Sequence, residues 1–148
     1  KTFNMAGWRV GMLLGAAENI QTVLKVKSNM DSGMFYGIQQ GAIAALQSDQ
    51  SWFNNLNTIY EKRRNIAWQI ADALGCTYDK DSSGLFVWAK LPIGLTAEQT
   101  ADDLLYTYDV FLAPGTIFGS NGEGYIRLSL CVTEEILIEV LNRIQRTA

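Results

Sequence analysis

The sequence predicts a mixed α/β chain that closes in a compact α+β subdomain, and three observations carry that prediction. From Asp49 to Leu74 the residues Trp52, Leu56, Ile59, Arg63, Ile66, Ile70 and Leu74 recur every three or four positions, the period of one helix face. After Gly75 this period gives way to short runs of β-branched and aromatic residues separated by turn formers. The order there is strand, strand, helix, strand, strand, helix, which suits helices packed on a small sheet.

In chain order, Trp8 to Leu14 mixes apolar residues with glycine and reads as a buried strand ending at Gly15. Ala16 to Lys27 carries Ile20, Val23, Leu24 and Val26 between polar residues, a helical pattern. The turn formers from Lys27 to Gly37 break it, and Ile38 to Leu46 resumes a helix with Ile38, Ala42, Ala45 and Leu46 at spacings of three and four. The long helix of Asp49–Leu74 ends at Gly75, a C-cap in the left-handed conformation. Its length of roughly 35–40 Å, at 1.5 Å per residue, is enough to join two domains. Trp52, Phe53, Tyr60 and Trp68 read as packing residues. Cys76–Tyr78 and Leu85–Lys90 are strands around the polar turn Asp79–Gly84. Thr96 caps a helix that has Glu98 in its first turn and runs through Leu104, Leu105 and Tyr108. Val110–Ala113 is a short strand ended by Pro114-Gly115, and Tyr125–Cys131 is another, with alternation. Thr133-Glu134-Glu135 opens a last helix whose Leu137, Leu141 and Ile144 share a face.

The chain has 148 residues, 48% hydrophobic and 18% charged, which suits a single globular body of ordinary size. A net charge of -3 with no run of like sign offers nucleic acid phosphates no general attraction. Charges break every apolar stretch before the roughly 20 residues that a membrane span needs. No signal peptide pattern is present at the start, and a cytoplasmic location is the expectation. Cys76 and Cys131, both in apolar contexts, read as unpaired core residues of a reducing compartment. The absence of histidine excludes a His-based triad or a His-rich metal site within this chain.

Chemistry gathers first at Lys1-Thr-Phe-Asn-Met-Ala-Gly-Trp-Arg9-Val-Gly11. By spacing alone, a lysine and an arginine in this relation are commonly a surface residue and a structural one. The whole run, however, resembles the Schiff-base lysine motif of class I/II aminotransferases, the fold-type I enzymes that use pyridoxal 5'-phosphate. The resemblance implies that Lys1 is the catalytic lysine that forms the imine with the cofactor aldehyde, and that Arg9 binds the cofactor phosphate. The residue types fit those roles, since an amine can form a Schiff base and a guanidinium fork matches phosphate geometry. Gly7 and Gly11 are expected to let the backbone turn and approach cofactor or sheet.

The loop Lys27-Ser-Asn-Met-Asp-Ser-Gly33 and the Gln- and Ala-rich helix after it resemble the aspartate and diaminopimelate branch of that family. The likeness implies a homodimer with a shared active site, with Asn29 to Ser32 lining the neighbour's site. An ordinary loop with Ser32 capping the next helix accounts for the same residues.

In the second half, Gly84-Leu-Phe86-Val-Trp88 is similar to the family's Gly-x-Phe-x-Trp strand, although Phe86 and Trp88 read more simply as core. Pro114-Gly-Thr-Ile-Phe118-Gly119, followed by Gly122-Glu-Gly124-Tyr-Ile-Arg127-Leu-Ser129, resembles the pattern in which an arginine binds the substrate α-carboxylate. Arg127 takes that position. An arginine in this apolar setting is costly to leave unpaired, and a bidentate carboxylate suits it; a structural salt bridge would also serve.

Taken together, the likeness implies exchange of an amino group between an amino acid and a 2-oxo acid, with pyridoxal phosphate as electron sink. It implies the end of a large cofactor domain over 1–48, a connecting helix over 49–75 and a small C-terminal domain over 76–148. Because the chain opens at the lysine, it reads as the tail of a longer protein, and these residues alone are expected to lack transaminase activity. Two other functions fit the same motifs: a carbon–sulfur β-lyase, and an aminotransferase-like effector domain of a transcription regulator.

Overall fold

The computed structural model describes residues 2–146, and the chain divides into two compact units, Lys1–Phe53 and Asn54–Ala148. Lys1 lies outside the described residues.

The first unit holds a single 3-10 turn at Ala6–Trp8, helix α1 over Ala17–Met30 and helix α2 over Tyr36–Leu46. It also takes in the start of helix α3, Gln50–Ala73. The strand expected over Trp8–Leu14 is absent: beyond the turn the backbone is irregular, and none of the described residues of this unit pairs with it. A strand is defined by a neighbour that takes its N–H and C=O groups, and an apolar run without one stays a coil. The helix expected to stop at Lys27 runs one turn further, to Met30. There the Asn29 amide donates to the Lys25 carbonyl at 2.6 Å, and Lys27 pairs with Asp31 four positions on. That lysine holds the exposed Asp31 carboxyl below its ordinary range. Ser32 does not cap α2; Phe35 stands at the cap position without a side-chain bond. Trp8 lies against α2 at Gly41, where an added Cβ would come within 2.2 Å of the indole. Phe3, Trp52 and Phe53 form an aromatic cluster with ring centres 5.1–6.3 Å apart. None of the described residues of this unit is buried, while Met12, Leu14, Met30, Phe35 and Tyr36 are exposed.

The helix α3 begins with the Asp49 carboxylate accepting the Trp52 amide at 3.0 Å. Its C-terminus is a double-bonded reversal. Gly75, at φ 69°, bonds back to Asp72 at 3.0 Å, and the Cys76 amide reaches the Ala71 carbonyl at 2.9 Å.

The second unit is the α+β body expected from the change of period. Strands β1 (Thr77–Tyr78), β2 (Phe86–Lys90), β3 (Ala113–Pro114) and β4 (Tyr125–Ser129) form one antiparallel sheet in the order β1-β2-β4-β3. Helices α4 (Ala97–Tyr108) and α5 (Glu134–Arg146) complete it. The strand expected over Val110–Ala113 shortens to Ala113–Pro114, since only these residues meet β4 in register. Alternation decides the two faces of the sheet. Val87, Ala89, Ile126 and Leu128 point to a core completed by Ala67, Ile70 and Ala71 of α3, Leu104 of α4, and Leu137 and Ile144 of α5. Each fully buried aliphatic side chain there contributes about 1.5–3 kcal/mol. Phe86, Trp88, Tyr125, Arg127 and Ser129 occupy the other face.

Arg64 pins the loop before β2 by donating to the Gly84 carbonyl at 2.7 Å and to that of Ser82. Thr96 accepts the Gln99 amide at 3.3 Å as the cap of α4. In α5, Glu134 and Glu135 sit in the first turn and Arg143 and Arg146 in the last, matching the helix dipole at both ends.

Both cysteines are free, but they differ: Cys76 is buried and Cys131, just past β4, is exposed rather than in the core. Burial pushes the Cys76 thiol up to about 11. Brief iodoacetamide treatment of the folded protein at pH 8 is therefore expected to alkylate Cys131 and spare Cys76, read by peptide mass. Equal labelling would contradict the burial.

Candidate active site

The outer face of the sheet carries one cation held in an aromatic frame. Arg127 lies directly opposite Trp88 across β2 and β4, and opposite Ala113 on β3. Its guanidinium carbon is 4.1 Å from the centre of the Phe86 ring and 4.1 Å from that of Phe118. The neighbouring Trp88 stacks on Tyr125 at 5.3 Å and meets Phe118 edge-on at 5.8 Å. No carboxylate among the described residues pairs with Arg127. The structural salt bridge that could have accounted for this arginine is thus absent among them. A guanidinium flanked by two rings keeps its donor edge free for a planar anion.

Phe86 and Trp88, which the sequence read as core, stand on the face away from it. The side chain that the sequence named within a motif but gave no role is Phe118. It is the last residue of the 3-10 turn Gly115–Phe118, which Gly119 separates from a second such turn, Ser120–Gly122, and it closes the second side of the frame. The signal available was the period of two in β2 and β4, which sets Phe86, Trp88, Tyr125 and Arg127 on one face.

In the first unit Arg9 is exposed and left-handed, at φ 51°, and Asn4 is left-handed too, at φ 54°. Such angles in residues other than glycine are uncommon and concentrate where function fixes the backbone. Gly7 and Gly11, expected to make the turn, have ordinary angles and no close neighbour. Arg9 borders an open groove of about 700 Å³ shared with Lys27, Ser28, Ser32 and Gly33. The structure thus brings Arg9 together with the loop that the sequence singled out.

A profile of the family described as aminotransferase class I and II matches residues 1–144. The chain belongs to the class I and II aminotransferases. It is 39% identical over 144 residues to the LL-diaminopimelate aminotransferase of Oleidesulfovibrio alaskensis, a match that covers 97% of this chain and 37% of that protein. Among solved structures it resembles the aromatic aminotransferase from Pyrococcus horikoshii OT3, with a TM-score of 0.88 and 29% identity over 99% of this chain and 40% of that one. An aminotransferase from Staphylococcus aureus gives a TM-score of 0.84 at 30% identity, with 99% of this chain and 39% of that one covered. The chain thus spans about two fifths of these aminotransferases' length.

Class I and II aminotransferases use pyridoxal 5'-phosphate. The described residues fit its phosphate end: Arg9 has no carboxylate partner among them, and the Ser28 and Ser32 hydroxyls share its groove. The Lys27 ammonium is taken up by Asp31.

Proposed function

We propose that the protein carrying this chain transfers an amino group between an amino acid and a 2-oxo acid. The observation that carries the reading is Arg127, framed by Phe86 and Phe118 and lacking a carboxylate partner among the described residues. In this reading its two terminal nitrogens grip the substrate α-carboxylate as a fork, and the rings keep water off both faces of the guanidinium. A grip at that end fixes which bond at the substrate Cα is presented for cleavage. Arg9 holds the cofactor phosphate, and Lys1 Nζ both attaches the cofactor and carries the proton taken from Cα. When bound, pyridoxal phosphate supplies the electron sink.

The same reading assigns 1–48 to the end of a large cofactor domain, 49–75 to a connecting helix and 76–148 to a small domain. The apolar surface left uncovered in the first unit supports the first assignment, since contiguous exposed apolar residues mark a face meant to be covered. A homodimer belongs to the proposal as well. Met30, Met34, Phe35 and Tyr36, all exposed around Asp31–Gly33, support a second copy meeting that loop. Two free cysteines support a reducing, cytoplasmic setting. No described helix is long and apolar enough to cross a membrane.

The test is to incubate the full-length protein with pyridoxal phosphate, reduce with borohydride and map the modified peptide. Modification of Lys1 is expected, together with amino transfer from LL-diaminopimelate or L-aspartate to 2-oxoglutarate. The 148 residues alone are expected to give no turnover. Labelling elsewhere, or no transfer by the full-length protein, would overturn the proposal.

A further inference from the structure

We propose that Glu123 is a positioning residue that latches the Pro114–Gly124 loop to the start of α4 and thereby holds Phe118 against Arg127. The inference rests on the reading of Arg127 as the carboxylate site. A single oxygen of the Glu123 carboxylate accepts the Ala97 amide, the first of α4, at 2.9 Å and the Gly124 amide at 2.9 Å. An acidic group at a helix N-terminus meets unpaired N–H groups there, and charge-assisted bonds of this kind are the stronger ones. The loop has a second tie to the same helix end, from the Thr116 hydroxyl to the Glu98 carboxylate at 3.2 Å. Its two arms also touch through backbone, because a Cβ on Gly122 would lie 2.0 Å from the Gly115 carbonyl oxygen.

Phe118 sits between these ties. Gly119 beside it, at φ 122°, has no neighbour within 4 Å of an added Cβ, so the loop is open on that side. Phe118 itself meets the edge of Trp88 and the Arg127 guanidinium, and the ties at the loop ends hold it there. Freeing the Glu123 end lets the ring leave the guanidinium, and Arg127 then samples orientations that a carboxylate cannot meet with two bonds. The latch thus acts on how often the fork captures the carboxylate; a substrate captured by both bonds presents the same bond at Cα with or without it.

The test uses the full-length protein with LL-diaminopimelate and L-aspartate as amino donors. Glu123→Ala is expected to raise the donor KM about tenfold with kcat held within about twofold, the pattern of lost binding common to ground and transition states. Glu123→Gln, which keeps the accepting oxygen, stays near the wild-type KM. Phe118→Ala raises KM by itself, and adding Glu123→Ala to it raises KM no further, the mark of two residues acting as one. An unchanged KM in Glu123→Ala, or effects that simply multiply in the double variant, overturns the latch. If Glu123→Ala fails to fold, Thr116→Val, which loosens the other tie, is expected to raise KM about threefold, and no change there overturns it equally. Arg127→Ala separates the two claims. If its KM matches the wild type, the carboxylate site itself is wrong, whereas a large loss there beside an unaffected Glu123→Ala rejects the latch alone.

Discussion

Arg127→Ala is expected to lower kcat/KM for α-amino acids by about 10²–10⁴, with little change in the stability of the fold. Two charge-assisted hydrogen bonds to a carboxylate are worth roughly 1.5–3 kcal/mol each, which converts to that range. Stability is spared because the substitution orphans no carboxylate among the described residues and empties no core position: Arg127 stands on the outer face. Arg127→Lys keeps the charge but loses the fork, so most of the loss persists. A primary amine without a carboxylate serves as the control, since it makes no use of the fork and reacts equally poorly with wild type and variant. A drop in kcat/KM matched by an equal drop for that amine, or accompanied by unfolding, would mean that Arg127 is structural.

Gly122→Ala is the substitution expected to damage the fold most for its size. The added methyl carbon would stand 2.0 Å from the Gly115 carbonyl oxygen and 2.4 Å from its carbon. Both are backbone atoms at the exit of β3, the strand paired with β4, so relief requires separating the two arms of the loop. Overpacking of this kind costs about 3 kcal/mol or more where backbone must move. Gly115→Ala meets the same wall from the other side, 2.1 Å from the Gly122 oxygen. By contrast Gly119→Ala finds open space and bears only the strain of its backbone angle, about 1–3 kcal/mol. Denaturant midpoints for the three variants check the ranking, and a Gly122→Ala protein as stable as wild type would mean that the two arms are not in contact.

Much of the second unit was legible in the sequence because its signals are local. The period of three and four in α3, the glycine at its end, the Thr96 cap and the alternation of β2 and β4 each depend on neighbours within a few residues. The first unit was less legible, since none of its described residues is buried and its apolar pattern finds no core among them. The apolar run Trp8–Leu14 has the composition of a strand but pairs with no strand among the described residues, and composition cannot supply one. The candidate site divides the same way. Arg127 could be found by its motif, and its place on the outer face by counting twos along β4. Phe118 could not be brought to it by counting, because a loop of two short 3-10 turns hinged at Gly119 shares no period with the strands. Glu123 reaches Ala97 across 26 positions, a distance over which sequence spacing says nothing about contact.

The two rings around Arg127 also decide when its freedom is lost. A long cationic side chain in solvent gives up close to 2 kcal/mol of rotamer entropy when it is immobilised. Here Phe86 and Phe118 restrict the guanidinium as the chain folds, so that loss is borne by folding and not by association. In the proposed role, a carboxylate arriving at the sheet then meets donors already aimed. Capture of the acid group becomes an enthalpic event, whose strength depends little on what the rest of the amino acid carries.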